Sequence, residues 1–572
     1  MKYRWITAPA QPVLTDFLAK ELRISSLLAQ CLLNRGFSEP EPIRHFLDPK
    51  LRSLADPFLI PNLGAAVDRL LQARAANEEM VIFGDYDVDG VTSTTLMYQL
   101  LNRLGWKVHC YLPHRLEEGY GLTQGGVENC LARFNPSLIL AVDCGSTSVE
   151  SIRWLKTRGV DVIVLDHHQV SDPAPEAVAL VNPQIATSPP FFRELCSAGL
   201  SFKLAHGLLK KAREQEIPGS HDYDIKESLD LVALGTIADL VPLVGENRIL
   251  VSAGLDRLNT SKRPGLLALK KVAQIEGRIQ GYEVGFQLAP RLNAAGRLEN
   301  ASEALNLLLA ENESIALPLA QNLDSCNRER QNIERAIADE VLSGIRTRFN
   351  PTHDLVIVEG QLTWHIGVVG IVASKVCQEF YRPTIILGGD GYEWRGSGRS
   401  IDGFDLAGAL RECKDLLLRH GGHMMAAGLS VEPAKVPELR RRLNEIARRT
   451  LTEEQFQPRL RLDAEVAASE ISFERIGELQ RLQQTGMGNP QVQLCARKMK
   501  HQRPPQRIGA DRRHAKFWVS QGQGPSLEAI WWGAGDAPLP VGNFDLAFIP
   551  KINAYNGQSH IQLNVLDWCP SS

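Results

Sequence analysis

The sequence predicts an α/β protein in which a parallel-sheet domain and a smaller α/β domain are joined by a long helix and followed by a small β-barrel. Three features carry this reading. Short apolar runs alternate with helical patterns from about residue 75 to 240 and again after 353. A helical period persists between about 300 and 348, and beyond about 455 short alternating strands are separated by Gly and Pro turns. Continuous apolar runs of this length suit strands buried on both faces, the condition of a parallel sheet covered by helices.

Residues 1–50 read as an N-terminal extension of short helices punctuated by Phe37-Ser-Glu-Pro-Glu-Pro. Within 51–300 the runs 80–83, 108–112, 138–142 and 162–165 are the expected parallel strands. Across 301–350, Leu319, Leu323, Cys326, Ile333, Ile337, Val341 and Ile345 recur at three-, four- or seven-residue spacings, as one helix face requires. Pro318 suits the first turn of that helix. In 351–450 a strand at 354–358, a helix at 368–380 and a strand at 384–387 repeat the α/β pattern. Strands at 460–463, 517–519, 529–532, 544–549 and 560–565 then form a barrel within 455–572.

Composition bounds the function. Hydrophobic residues at 44% and charged residues at 23% exclude a largely disordered chain. No stretch approaches twenty apolar residues, so no membrane span is expected, and the N-terminus lacks the apolar core of a secretory signal. Ten scattered cysteines without a CxxC pair fit a reduced, cytoplasmic protein.

The chemistry stands directly after the expected strands. Asp85, Asp87 and Asp89 lie in GDYDVDG after 80–83, Asp143 follows 138–142, and Asp166, His167 and His168 follow 162–165. In an open parallel sheet the ligand crevice lies beyond the carboxyl ends of the strands, so these residues gather at one edge. Asp239, in LGTIAD at the end of an apolar helical run, closes the group. So many carboxylates repel and are costly to desolvate unless cations neutralise them. Asp oxygens with His nitrogens suit Mn²⁺, Mg²⁺ or Zn²⁺, and the lack of thiolates argues against structural zinc. The supply of acids exceeds one ion's need, which points to a pair roughly 3.5–4 Å apart. A calcium loop is excluded, because Leu96 stands at the loop position where a bidentate Glu is required. Asp143 alone serves equally as a turn former; the adjacent histidines and the joint pattern favour a metal site.

Asp166-His167-His168 after a strand, with GDYDVDG upstream and GTIAD downstream, resembles the DHH phosphoesterase superfamily over essentially the whole N-terminal half. That resemblance implies two metals, Mn²⁺ or Mg²⁺, held by Asp87, Asp89, Asp143, His167 and Asp239. Asp85 and His168 join the catalytic group as ligands or as supports.

Four further segments bear on substrate. Arg115 follows the 108–112 strand in Pro113-His114-Arg115. PRLNAAGRL (290–298) carries Arg291 and Arg297 around a small-residue turn. In RGSGRS (395–400) glycines let backbone N–H groups approach an anion, and Arg399 suits bidentate phosphate contact. GGHMMAAG (421–428) is a Gly-rich turn bearing His423. Each alone more often describes a solvated loop. Together, GSGRS and GGHMMAAG resemble the DHHA1 domain of exonuclease-type superfamily members, and PRLNAAGRL resembles a motif of their single-strand-specific subgroup. The resemblance is nearly full length. It implies Ser397, Arg399 and Arg115 at a 5′-phosphate end, with Arg297 and His423 near the substrate strand.

The C-terminal region resembles that subgroup's OB-fold, so an OB-like barrel is expected. Net charge is only −3, yet residues 497–516 hold eight Lys or Arg and one Asp beside Phe517, Trp518, Trp531 and Trp532. Such a strip suits phosphate neutralisation and base stacking; the other reading is a solvated loop with core tryptophans. The resemblance implies a cytoplasmic 5′→3′ exonuclease that degrades single-stranded DNA to mononucleotides in repair and recombination. It also implies single-strand-binding protein and a RecQ-type helicase as partners. A DHH phosphoesterase acting on oligoribonucleotides, cyclic dinucleotides or pyrophosphate is the alternative, and it needs no barrel. A non-enzymatic replication scaffold is disfavoured by the intact acids and histidines.

Overall fold

The computed structural model describes every residue except Met1, Leu116, Glu299, Asp390, Asn556, Gly557 and Ser572. Strand β1 (Arg4–Thr7) and the helices Pro12–Leu22, Ser26–Leu33 and Pro40–Leu47 precede the first sheet. That sheet comprises β2 (Glu79–Gly84), β3 (Lys107–Tyr111), β4 (Leu138–Val142), β5 (Asp161–Leu165) and β6 (Ala179–Val181). Its order is β3-β2-β4-β5-β6, and every pairing is parallel. Met80, Ile82, Leu138, Leu140, Val142, Ile163 and Leu165 pack into one core, and Val81, Phe83, Ile139, Ala141, Val162 and Val164 into another. Successive strand residues face opposite sides, so burial on both faces explains why the runs are continuous rather than alternating.

The register sets up the site. Gly84, Val142 and Leu165 share one rung across β2, β4 and β5. The next residues are Asp85, Asp143 and Asp166, which leave strands about 4.8 Å apart at one level.

The expected bridging helix is a pair, Ser302–Leu309 and Glu313–Arg348. Asn312 caps the second by accepting from the Ile315 N–H at 3.1 Å. That cap starts the helix five residues before Pro318, which therefore lies in the second turn and not the first. Ala316, Ala320 and Leu323 join the first domain's core, whereas Ile337, Val341 and Ile345 join the second's.

The second sheet contains β7 (Ile357–Gly360), β8 (Thr384–Gly389), β9 (Trp394–Arg399), β10 (Leu417–His423) and β11 (Ala426–Val431), in the order β10-β11-β9-β8-β7. Its first strand begins at Ile357, later than the run at 354 suggests. Two motifs expected as turns are strands. RGSGRS lies mostly in β9, flanked by β8 and β11, so its amides serve the ladder and are not offered to an anion. GGHMMAAG is the β10–β11 hairpin.

Strand β12 (Arg459–Leu462) pairs with β1 rather than joining the barrel. The last sheet consists of β13 (Ala464–Glu465), β14 (Leu494–His501), β15 (Gln506–Ile508), β16 (His514–Gln521), β17 (Leu527–Trp531), β18 (Phe544–Tyr555) and β19 (Gln558–Pro570). A β14–β16 pairing closes β14-β18-β19-β17-β16 into a five-stranded ring, the OB-like arrangement. Residues 1–50 are no appendage: Leu18, Leu28, Leu32 and Ile43 share a core with Leu482, Leu494, Phe517 and Phe548. Among the described residues no helix is long and apolar enough to cross a membrane.

Candidate metal centre

GDYDVDG leaves β2 and becomes the start of the helix Val88–Arg103. Asp87 is its N-cap and accepts from the Gly90 N–H at 3.1 Å. Asp89, in the first turn of that helix, accepts from the amides of Ser197 (2.7 Å) and Ala198 (2.9 Å), the N-terminus of the helix Ser197–Glu214. A helix N-terminus favours a carboxylate, yet burial and the charge of Asp87 raise Asp89 to about 6. The helix Leu229–Ala238 crosses so closely that a Cβ on Gly235 would lie 2.6 Å from Ala198 Cβ and 2.7 Å from Asp89 Oδ1. Glycine in GTIAD thus admits the helix that delivers Asp239 at its C-cap.

Asp143 leaves β4 with φ +63° and accepts from Ser197 Oγ at 2.9 Å. Left-handed backbone costs a non-glycine residue about 1–3 kcal/mol, a strain typical of functional positions. Burial, then repulsion from Asp89, Asp87, Asp85 and Asp239, holds the Asp143 carboxyl well above the usual range. Burial and Asp87 do the same to Asp85. Burial and the neighbouring acids Asp89 and Asp87 push Asp239 to about 9.

His167 Nε2 lies 3.4 Å from Asp239 Oδ2, 3.5 Å from Asp143 Oδ1 and 4.0 Å from Asp89 Oδ2. Burial, then His168, lowers its pKa to about 4, leaving the neutral imidazole that metals require. His168 differs: burial pulls it down, but its 2.8 Å bond to Asp166 and that residue's charge outweigh burial and raise it to about 9. Asp166 also accepts from the Ser146 and His168 amides, at 3.0 and 3.2 Å.

Three sets of donor atoms each lie within 4.8 Å of one another: Asp143, His167 and His168; Asp89, His167 and Asp239; Asp85, Asp87 and Asp143. The sets overlap at Asp143 and His167. Buried Asp85 Oδ1, His167 Nε2 and Asp239 Oδ2 have no hydrogen-bond partner among the described residues. Crowded carboxylates, a neutral imidazole and orphaned donor atoms fit divalent cations of the Mn²⁺ or Mg²⁺ kind.

The expected substrate residues extend from this centre towards the second domain. Arg115 lies 5.0 Å over the Tyr86 ring. PRLNAAGRL is helical, within Ala289–Leu298, and not a turn. Alanines favour that helix, and a Cβ on Gly296 would stand 2.7 Å from the Tyr86 carbonyl, so glycine lets the helix brace the acid loop. Asn293 reinforces it by accepting from the Val88 N–H at 3.1 Å. Arg291 is taken up by Asp324 of the bridging helix at 2.9 Å. Arg297 reaches across to the Gly367 carbonyl at 3.2 Å, and burial, then Arg115 and Arg330, lowers its pKa to about 10.

Ser397 and Arg399 share a face of β9, with Arg399 Nη1 donating to Ser397 Oγ at 2.8 Å. A Cβ on Gly370 would lie 3.0 Å from Ser397 Oγ and 3.3 Å from Arg399 Nη2, so both face the first turn of the helix Val369–Phe380. His423 shares the rung of Arg399 through Ala426, but stands further out on the exposed hairpin.

Three of the strip's eight basic residues are committed within the barrel, while Lys498, Lys500, Arg503, Arg512 and Arg513 are exposed. Arg497 pairs with Glu465 (2.6 Å) and Asp545 (2.9 Å), Arg507 donates to the Gly535 and Ala537 carbonyls, and Lys516 pairs with Glu528 at 2.7 Å. Phe517 is fully buried, a core residue rather than a stacking platform. Trp518, with Arg503 and Lys516 over its ring at 4.8 and 4.9 Å, and exposed Trp532 remain available. Sequence reasoning missed the Ser197 and Ala198 amides, which no side-chain letter announces. It also missed Tyr120, whose hydroxyl lies 3.1 Å from His168 Nδ1 and donates to the Asp143 carbonyl at 3.3 Å.

The DHH family, N-terminal domain, matches residues 79–236; the DHHA1 domain matches 353–449 and the RecJ OB domain 462–567. The chain is 39% identical to the single-stranded-DNA-specific exonuclease RecJ of Bacillus subtilis (strain 168), over 99% of this chain and 71% of that protein. With RecJ of Dickeya dadantii (strain 3937) identity is 35%, over 94% and 95%. The crystal structure of RecJ from Thermus thermophilus in complex with Mn²⁺ superposes with a TM-score of 0.85 at 30% identity, covering 100% of this chain and 80% of that one. The Mg²⁺ complex of the same protein gives 0.78 at 28% identity, over 100% and 79%.

Proposed function

Because the chain belongs to the RecJ family of single-stranded-DNA-specific exonucleases, we propose that it hydrolyses single-stranded DNA from the 5′ end to mononucleotides at a centre of two divalent cations. The carrying observation is the overlapping donor sets around Asp143 and His167, with three buried ligand atoms lacking partners. Asp87, Asp89, Asp143, His167 and Asp239 would hold Mn²⁺ or Mg²⁺, flanked by Asp85 and His168. When bound, the cations neutralise the carboxylates, activate water and stabilise the charge that develops on the scissile phosphate.

The chain's own residues fix geometry and end choice. Ser197 and its helix N-terminus orient Asp89 and Asp143, and Asp166 fixes the His168 ring. Ser397, Arg399 and Arg115 take the terminal 5′-phosphate, whose extra charge over an internal phosphodiester suits a guanidinium fork. Arg297 and His423 would contact the strand where it passes between the domains, and exclusion of duplex there would give the single-strand preference. Residues 51–300 and 351–450 form the catalytic body, linked by 301–350, and the barrel within 455–572 binds the strand. The setting is cytoplasmic DNA repair and recombination, with single-strand-binding protein and a RecQ-type helicase supplying substrate.

Digestion of end-labelled single-stranded and duplex DNA with Mn²⁺, Mg²⁺ or EDTA tests the reading. Label should leave first from the 5′ end of the single strand as a mononucleotide, and only with metal. Release first from a 3′ end contradicts the polarity.

A further inference from the structure

The helix Gly245–Thr260 starts six residues after Asp239 and carries Arg248, 2% exposed, in its first turn. A guanidinium has five N–H donors, and here each meets a peptide carbonyl. Nε donates to Phe46 at 2.7 Å, Nη1 to Leu482 and Gln484 at 3.2 and 3.3 Å, and Nη2 to Arg481 at 3.2 Å and to Gln483. Its Cζ stacks 3.8 Å from the centre of the Phe46 ring. A buried charge compensated by carbonyls alone is costly unless every donor is used, and it ties three distant segments together.

Those segments join the catalytic body to the barrel. Phe46 and Leu482 belong to the core shared by the N-terminal helices and the barrel, whereas the Gly245–Thr260 helix packs into the catalytic body. The loop 481–490 is held further by the Leu243 amide on the Met487 carbonyl at 2.7 Å. Asn489 donates within it to Leu482 and Gln484, both at 2.7 Å, and Arg35 donates to Asn489 Oδ1 at 2.9 Å. The same loop walls a cleft of about 690 Å³, faced by Leu240 next to Asp239, by Tyr282 and Phe286, and by Lys551 of the barrel.

We propose that Arg248 is a positioning residue that sets the separation of the barrel from the metal centre and thereby the preference for long strands over short ones. The inference rests on the exonuclease reading. A dinucleotide occupies the metal centre alone, whereas a long strand must engage centre and barrel together. Removing the guanidinium strips donors from the Phe46, Arg481 and Gln483 carbonyls in a dry contact, and the loop must shift to rehydrate them.

The test uses full-length Arg248→Met and Arg248→Lys with Mn²⁺, on a dinucleotide and on a long single strand. In Arg248→Met the KM for the long strand should rise about tenfold while kcat on both substrates stays within about twofold. Lysine keeps the charge but offers three donors, so Arg248→Lys should fall between, and it carries the test if the methionine variant does not fold. Amide exchange across 481–490 should quicken in both variants. Equal losses on both substrates, or faster loop exchange with an unchanged long-strand KM, would overturn the inference. A wild-type protein inert on both substrates counts against the exonuclease reading, whereas an active wild type whose length preference survives Arg248→Met counts against the Arg248 role alone.

Discussion

The metal centre and the Arg248 contact bury charge only nine residues apart in sequence, on either side of one loop. At the centre, Asp89, Asp143 and Asp239 crowd His167, carboxyl pKa values rise, and Asp85 Oδ1, His167 Nε2 and Asp239 Oδ2 lack partners. At Arg248 all five donors are used and the surroundings are neutral carbonyls. The difference teaches how to read buried charge: saturation marks architecture, whereas like charges with orphaned atoms mark a place built to receive something else. The first is a debt already settled within the fold; the second waits for a ligand.

The sharpest way to break this contrast is Asp143→Asn. It should cut nuclease activity by about a thousandfold, yet leave the EDTA-treated protein no less stable to heat, since one mutually repelling carboxylate is gone. Melting well below wild type in EDTA would show that Asp143 is structural. Next in size is Arg399→Gln, expected to raise KM for 5′-phosphorylated strands about tenfold and to erase their advantage over 5′-hydroxyl strands. Equal effects on both kinds of end would remove Arg399 from the end pocket.

Metal removal probes the same comparison through pH. Asp239 rises from its ordinary 3.8 to about 9 in the fold. A carboxyl with a raised folded pKa favours folding below its unfolded value and loses that contribution as pH rises through the folded one. Without metal, the protein should therefore lose stability between about pH 4 and 9, and Mn²⁺ should raise Tm more at pH 8.5 than at pH 6, roughly following proton release on binding. A pH-independent Tm gain in calorimetry would refute the coupling. The smallest effect is expected at Arg497→Ala: its guanidinium is already paired with Glu465 and Asp545, so strand affinity in a titration should change by less than about twofold.

The parallel sheet and its acid-lined edge were legible because both signals are local. Apolar runs buried on two faces end directly at Asp85, Asp143 and Asp166, and the shared rung of β2, β4 and β5 does the rest. PRLNAAGRL and RGSGRS misled because their glycines suggest turns, while neighbouring backbone decides: Gly296 admits the Tyr86 carbonyl, and β9 is held between two strands. Strand β14 was hidden by Arg497, Lys498 and Lys500 and by a register shift between Ala496 and Met499 that breaks the alternation. The barrel affiliation of residues 1–50 was illegible because the partners of Leu18 and Leu28 lie more than 400 positions away. The amides of Ser197 and Ala198 have no letter in a sequence.

The union of the first helices with the barrel also dictates an order of assembly. During synthesis the faces bearing Leu18, Leu28, Leu32 and Ile43 emerge long before their partners Phe517 and Phe548. The two α/β domains lie between and carry their own cores, so they can fold in the interval, as domains do on the ribosome. Only then do Trp5 and Asp567 meet, 2.9 Å apart, and β1 find β12. The catalytic body is thus enclosed within a clasp that shuts last, and a nascent chain halted before β14 would carry its acids in place but expose a greasy, unmated head.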